Sequence, residues 1–362
     1  MTPFRFLPFL LALSFSLFSA CGDKDDDVEP AVIPASEFTT GADISWVSEM
    51  EHDGKTFKTR AGEKADILAV LKDTGVDAIR LRVWVDPDGG WSGKDDVVAL
   101  GKRVTAAGLP LMVDFHYSDF FADPSRQTVP AAWKADIGDV TKMAEHVKDH
   151  TTEVLTALRK AGVAVTWIQI GNETRNGMIW PLGKLWANGS ETVGGWDKFA
   201  QLYRTGYNAA KAVYPNALVM PHLNNAYADN DWWFKEMKNR KCPFDMIALS
   251  HYPQAETSMT WQEYNQTAAS RISSLSSTYG VKVMVSEIGV KADTPAVGKE
   301  IVADFLSRVS RSACAGVFYW EPEVYGWWKP AVYKTLGWNS YDSGAFTSDG
   351  RPSAILEPFL TK

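Results

Sequence analysis

The chain alternates. Eight short apolar runs, each able to form a buried strand, are separated by stretches whose apolar residues recur every three or four positions. The runs cover 41–45, 78–84, 110–117, 167–173, 218–223, 244–252, 282–289 and 316–321. The helix-like stretches cover 64–74, 95–107, 140–160, 196–213, 231–240, 261–279 and 297–312. Gly75, Gly108 and Gly280 stand just past three of them, where a helix C-terminus favours left-handed backbone. Strand and helix alternating in this way build a (β/α)8 barrel. The rival is an open, doubly wound sheet, which is expected to carry a Gly-rich phosphate loop after its first strand. Here Trp46-Val47-Ser48-Glu49-Met50 follows instead. The length, 362 residues, suits one large barrel. No repeat of solenoid length and no second domain is visible, so the expected fold is a single TIM barrel over 39–362.

Polar residues collect where each strand finishes. Strand one offers Asp43 and Ser45, and strand two Arg80, Arg82 and Trp84. Strand three gives Asp114, His116, Tyr117, Ser118 and Asp119, and strand four Asn172 and Glu173. His222 and Asn224, His251 and Tyr252, Glu287, then Trp320 and Glu321 close strands five to eight. The C-terminal ends of barrel strands are where catalysis is expected. Two carboxylates on separate strands, Glu173 and Glu287, are the minimum equipment for cleaving a glycosidic bond. Asn172 beside Glu173 suits a hydrogen bond to a sugar 2-hydroxyl.

Each residue also has a plainer reading. Glu173 could pair with Arg175, and Glu287 with Arg80 or Arg82. A carboxylate nucleophile would accept that same arginine, which keeps it ionised while a desolvated partner stays protonated. Arg80 and Arg82 lie two apart and share a strand face. Asp43, Asp114 or Glu287 would have to neutralise them. A zinc site on His116, His222 and His251 is the competing chemistry. Metal-dependent amidohydrolase barrels add a His-x-His on strand one and an Asp on strand eight. Strand one reads Ala42-Asp43-Ile44-Ser45 and strand eight ends Trp320-Glu321, so no catalytic metal is expected.

Charge narrows the partners. The net charge of −7 and the lack of any long basic run argue against nucleic acid or an anionic membrane surface. Tryptophan is the outlier at 15 residues. Most such rings fill cores, but they also stack on the apolar faces of sugars. Trp180, Trp186, Trp320, Trp327 and Trp328 lie beside polar loop residues and are candidates for a ligand groove. Cys242 and Cys314 each precede a strand. Two cysteines make no disulfide framework, and a bridge and two buried free thiols both remain open.

The N-terminus reads as a targeting segment. Arg5 gives a positive start, residues 6–18 an apolar stretch too short to span a membrane comfortably, and Phe18-Ser19-Ala20-Cys21 resembles a lipoprotein cleavage box. The alternative is an ordinary secretory signal with an incidental cysteine. On the lipoprotein reading residues 1–20 are a signal peptide, Cys21 carries lipid, and 21–38 form an acidic, Pro-containing linker. The run Gly22-Asp23-Lys24-Asp25-Asp26-Asp27 is a solvated tether. It also resembles the surface-export signal of bacterial outer-membrane lipoproteins. The expected location is the outer face of the outer membrane, with lipid as the only membrane contact. Nothing suggests more than a monomer.

Taken together, the motifs resemble glycoside hydrolase family 53, the endo-β-1,4-galactanases, within the clan of retaining (β/α)8 hydrolases. The matching stretches are Gly41-Ala42-Asp43-Ile44-Ser45, Arg80-Leu81-Arg82-Val83-Trp84, Asp114-Phe115-His116-Tyr117-Ser118-Asp119 with Ala122-Asp123-Pro124, Gln127, Pro130, Trp133, Gln169-Ile170-Gly171-Asn172-Glu173, Ser250-His251-Tyr252-Pro253 and Tyr319-Trp320-Glu321-Pro322. The strand-three run is the most specific of them. The resemblance implies that Glu173 is the general acid/base and Glu287 the nucleophile. Arg80, His116, Asn172, His251, Tyr252 and Trp320 would shape the subsite of the attacked sugar, supported by Asp43 and Asp114. It implies a polysaccharide substrate, β-1,4-galactan or type I arabinogalactan, and no cofactor for catalysis. Another retaining β-1,4-glycanase of the clan and a non-catalytic surface glycan-binding lipoprotein are the alternatives. The chain departs from the family in three places. Phe121 stands where many relatives have Trp. Ser286-Glu287-Ile288-Gly289-Val290 differs from the usual wording around the nucleophile. After strand seven, Lys291-Ala292-Asp293-Thr294-Pro295 replaces a long Asp- and Asn-rich loop that binds calcium in some bacterial relatives. That calcium site is expected to be missing.

Overall fold

Eight parallel strands form a ring in the computed structural model: β1 (Thr39–Asp43), β2 (Ala78–Val83), β3 (Leu111–Phe115), β4 (Val165–Ile170), β5 (Leu218–Met220 and His222–Leu223), β6 (Ile247–His251), β7 (Val283–Ile288) and β8 (Cys314–Trp320). The structure describes residues 32–255 and 258–361. The signal peptide, Cys21 and the acidic run therefore lie outside the described residues. The ring closes at β5, whose first piece pairs with β4 and second with β6. Pro221 separates the two pieces. It has no N–H to give the ladder, but its carbonyl accepts from Ala248 N at 2.9 Å.

Helices cover the outside: α1 (Ile67–Lys72), α2 (Lys94–Ala106), α3 (Val140–Lys160), α4 (Gly195–Val213), α5 (Asp231–Asn239), α6 (Trp261–Tyr279), α7 (Pro295–Arg308) and α8 (Ala331–Leu336). Local chemistry sets their ends. Asp139 caps α3 by accepting from Thr141 N and Lys142 N, and Thr260 with Glu263 forms a capping box on α6. Gly75, Gly108 and Gly280 all take positive φ, between +68° and +91°. α1 is shorter than the sequence suggests. Asp66 caps it by accepting from Leu68 N, which leaves Lys64–Ala65 to a small hairpin with Phe57–Lys58. The short helices Val47–His52 and Ala331–Leu336 were not expected, because neither is long enough to show a period.

The barrel interior is layered by strand alternation. Ala78, Met112, Trp167, Met220, Ala248, Met284 and Phe318 form one buried apolar cluster. Two residues further along their strands come Arg80, Asp114, Gln169, His222 and Ser250, all buried. So the polar layer rests on an apolar floor. The intervening residues, such as Ile79, Val113, Ile168 and Leu249, face the helices in the larger core. Strand β7 breaks the alternation. Leu249 pairs with Val285 but Ser250 with Glu287, so Ser286 is an extra residue. This bulge turns Glu287 inward, where unbroken alternation from Met284 would send it to the helix side. Cys242 and Cys314 are free, buried thiols.

Gly41 marks how tightly the floor is filled. A Cβ there would lie 2.2 Å from the Phe318 ring. Gly41→Ala should lower stability by about 1–3 kcal/mol, as overpacking of a filled core does. Chemical denaturation of the two proteins checks this, and an unchanged midpoint would contradict it.

Candidate active site

The site is organised by Arg80, whose guanidinium is fully enclosed at the level of the polar layer. Nε donates to Gln169 Oε1 at 2.7 Å and Nη1 to Asp43 Oδ2 at 2.8 Å. Nη2 serves Asp114 Oδ2 at 2.7 Å, Asn172 Oδ1 at 2.9 Å and Glu287 Oε1 at 3.0 Å. Burial alone would push Asp114 up, but Arg80 and His116 hold it down at about 2. Glu287 is gripped at both oxygens. Arg80 takes one, and Tyr252 Oη donates to the other at 2.7 Å, with Ser250 Oγ 3.2 Å away. Burial and the charge of Glu287 raise the Tyr252 phenol, so it keeps the proton it donates.

Glu173 is placed by a strained turn. After β4, Gly171 takes φ +82° and Glu173 φ +48°, the left-handed region where a non-glycine residue is uncommon. Neighbours hold it there. Glu173 N lies 3.3 Å from His222 Nδ1, Gln127 Nε2 donates to Asn172 O at 2.8 Å, and Thr174 Oγ1 donates to His222 O at 3.2 Å. Burial pushes the Glu173 carboxyl well above its ordinary range, and the charge of Glu287 adds to this. Burial also raises Glu287, but Arg80 and the Tyr252 hydroxyl oppose it. Glu287 is therefore the member that ionises first, and Glu173 the one that keeps its proton. One carboxyl oxygen of each and a ring nitrogen of His222 all lie within 4.8 Å of one another.

The histidines are fixed in state. His116 Nδ1 accepts from Ala122 N at 3.0 Å and Trp84 Nε1 at 3.3 Å, so its proton sits on Nε2, 2.9 Å from Asp114. Asn172 is oriented by Arg80 at its oxygen and by Nδ2–H donation to Ala122 O at 2.8 Å. His222 Nδ1 therefore donates to Asn172 Oδ1 at 2.8 Å, and Nε2 accepts from Ser250 Oγ at 2.8 Å. Burial first, then Arg80, keeps His222 neutral. These assignments bear on metal binding. Glu173, His222 and Glu287 are close enough to share an ion, but both His222 nitrogens and both Glu287 oxygens already have partners. The donor set does not fit a metal.

A cavity of about 260 Å³ opens above this layer. His116, Asn172, Glu173, Tyr252, Glu287 and Trp320 all line it, with Phe121 in its wall. Asp43, Arg80 and Asp114 do not; they lie beneath and act through Glu287, Asn172 and His116. His251 is a correction. Its Nε2 bonds Asn265 Oδ1 on α6 at 2.8 Å, and its ring packs on Phe305 of α7 at 4.4 Å. Ser250 and Tyr252 face inward, so the residue between them faces out. Arg82 is a second correction. It pairs with Glu321, not with Asp43, Asp114 or Glu287, and lies against Trp46 at 4.1 Å. Nor does Arg175 pair with Glu173; its guanidinium is over the Trp232 ring at 5.6 Å.

Of the five tryptophans singled out, Trp320 enters the cavity and Trp186 a neighbouring one. Trp328 is buried with Nε1 on Asp53 Oδ2 at 2.8 Å, while Trp327 is exposed. Trp180 donates to Asn176 O at 2.9 Å. Sequence reasoning missed Ser250, whose signal was its inward parity with Tyr252. It also missed Tyr333 and Trp338, which reach the cavity from the long stretch after β8 and carry no periodic signal.

Arg80→Lys would keep a charge but lose the fork that reaches five partners. Glu287 would be harder to ionise, so its pKa should rise. The acidic limb of the pH–activity profile should then move to higher pH. An unmoved limb would show that Arg80 does not set the state of Glu287.

Comparison with known proteins places these residues in context. The model of glycosyl hydrolase family 53 matches residues 39–299. An endo-beta-1,4-galactanase of Bacillus subtilis (strain 168) is 32% identical over 348 residues, covering 85% of this chain and 76% of the relative. An arabinogalactan endo-beta-1,4-galactanase of Humicola insolens is 30% identical, covering 88% and 98%. A solved fungal beta-1,4-galactanase structure superposes with a TM-score of 0.75 at 28% identity, covering 90% of this chain and 99% of that one.

Proposed function

Because the chain belongs to glycosyl hydrolase family 53, we propose that it is an endo-β-1,4-galactanase, cleaving galactan and type I arabinogalactan with retention of configuration. Relatives bearing that name, similar over most of their length, support the substrate. The observation that carries the chemistry is the unequal carboxyl pair with oxygens within 4.8 Å. Retaining enzymes hold their carboxyl groups about 5–5.5 Å apart, whereas inverting ones need roughly 6.5–9.5 Å to admit a water between.

Each group then has a defined task. The ionised Glu287 attacks the anomeric carbon of a β-linked galactose. The glycosidic C–O bond breaks, and the proton held by Glu173 passes to the leaving oxygen. A galactosyl ester of Glu287 results. Glu173, now a carboxylate, takes a proton from water as the water oxygen attacks the anomeric carbon. The ester bond breaks, Glu287 is free again and Glu173 is again protonated. Asn172 keeps one Nδ2 proton free for the sugar 2-hydroxyl, a bond that strengthens in the oxocarbenium-like transition state. Activity falls at low pH as Glu287 protonates and at high pH as Glu173 ionises. No cofactor enters either step.

The direct test is galactan itself: new reducing ends of β configuration should appear. Binding without cleavage would indicate a glycan-binding protein. Glu287→Gly should abolish hydrolysis, and added azide should yield an α-galactosyl azide from an activated substrate. Glu173→Ala should lose about 10²–10⁴-fold on galactan, with azide giving the β product. Exchanged outcomes would reverse the two roles.

The same reading makes the protein a monomeric lipoprotein at the outer membrane surface. Its support is the Phe18-Ser19-Ala20-Cys21 box and the acidic run after it. No helix among the described residues is long and apolar enough to cross a membrane. Cys21→Ala should move the enzyme from the membrane fraction to the soluble fraction. Membrane retention of that variant would refute the anchor.

A further inference from the structure

Arg82 is a second buried cation, and it bonds to neither catalytic carboxyl. It lies two residues past Arg80 on β2, but its ion pair is with Glu321, directly after β8. Rings enclose it. Its guanidinium carbon is 4.1 Å from the centroid of Trp46 and 4.8 Å from those of Trp84 and Phe121. The three rings stand edge-on to one another, with centroids 5.8, 5.9 and 5.3 Å apart, so they form a cage and not a stack. Glu323 Oε1 fixes Trp46 by accepting from its N–H at 3.2 Å. Among the described residues no acceptor meets Arg82 Nε or Nη2. The negative ring faces compensate the cation instead.

Two routes lead from this cage to Trp320. Phe121 is a wall of the catalytic cavity, and its ring is 6.0 Å from that of Trp320. Glu321 is joined to Trp320 by the peptide bond itself. The backbone there is held on both sides: Trp320 O accepts from Tyr341 Oη at 3.0 Å, and Glu321 N donates to Asp43 O at 3.1 Å. Glu321 takes φ +50°, a strained conformation that persists only where neighbours impose it. The turn separates the two side chains. The Trp320 ring enters the cavity, while the Glu321 carboxylate is buried on Arg82. A buried ion pair is by itself weak evidence of stability, because apolar side chains of similar volume often serve as well. Its place beside Trp320 gives it a use. The attacked sugar lies over Glu287 with this indole beside it, and small errors in such placement are costly in rate.

We propose that Arg82 is a positioning residue, which holds the Trp320 indole against the attacked sugar through Glu321 and the Phe121 ring. The proposal rests on the galactanase reading for the identity of that sugar.

Arg82→Lys keeps a charge for Glu321 but loses the planar group that the three rings enclose. On galactan it should lower kcat about tenfold and leave KM within about twofold, because one sugar of a long bound chain is affected and its contacts tighten in the transition state. The acidic limb of the pH–activity profile should stay in place, unlike that of Arg80→Lys. The decisive measurement is a double-mutant cycle with Trp320→Ala. If Arg82 acts through the indole, adding Arg82→Lys to Trp320→Ala should cost less than about twofold. Glu321→Gln keeps an acceptor at Arg82 but removes the charge. It should behave in the same way, and it carries the cycle if Arg82→Lys does not fold. An undiminished loss in the Trp320→Ala background, in proteins that melt like their parents, would overturn the proposal. So would a wild-type kcat in Arg82→Lys, or an acidic limb displaced as in Arg80→Lys. A wild-type protein that cleaves another β-1,4-glycan but not galactan would overturn the galactanase reading alone, and the cycle run on that glycan would still decide the role of Arg82.

Discussion

One buried cation holds this molecule's chemistry in place. Arg80 sits at the centre of the barrel with Asp43, Asp114 and Glu287 around it, each within 3.0 Å. Removing a charge from water is expensive unless it is paired and hydrogen-bonded on all sides, and Arg80 meets that requirement through five partners. The pairing has a consequence. Three carboxylates already share one guanidinium, so a fourth negative charge beside Glu287 finds no compensation. Glu173 is that fourth group. It stays protonated because burial disfavours its charge and the ionised Glu287 adds to this, and an acid and a nucleophile emerge from two chemically identical side chains.

The neutral histidines belong to the same balance. His116 and His222 each donate one ring proton and accept at the other nitrogen, so neither adds charge to the layer. They transmit position instead. His222 links Asn172 to Ser250, so the strand bearing the acid is joined to β6 below the cavity. The strained backbone at Glu173 is affordable in that frame. A non-glycine residue in the left-handed region costs of order 1–3 kcal/mol, and it persists because His222, Gln127 and Ala122 fix both sides of the turn. Tyr117 and Glu321, just past β3 and β8, take the same left-handed conformation. The rim of the barrel concentrates strain where side chains must turn toward the cavity.

Much of this was legible in the chain. The eight strands announced themselves because a strand buried on both faces is a continuous apolar run, and the polar layer because it begins two residues after the apolar floor. Inward parity could also have excluded His251. Ser250 and Tyr252 share a face, so the residue between them cannot. The partner of Arg82 was harder. Glu321 lies beyond the end of β8 in a left-handed turn, where alternation no longer says which way a side chain points. Tyr333 sits in the short helix α8 and Trp338 just past it, a segment too short to show a period.

The sequence by itself determined the barrel, the pairing of Glu173 with Glu287 as reactive groups and the family that carries them. It could do so because hydrophobic period and motif spacing are local properties. Only the tertiary structure decided which carboxyl is charged, because that depends on distances to Arg80 and Tyr252 across four strands. Only it revealed that Ser286 is an inserted residue, since a bulge is defined by pairing with β6 and β8 and not by composition.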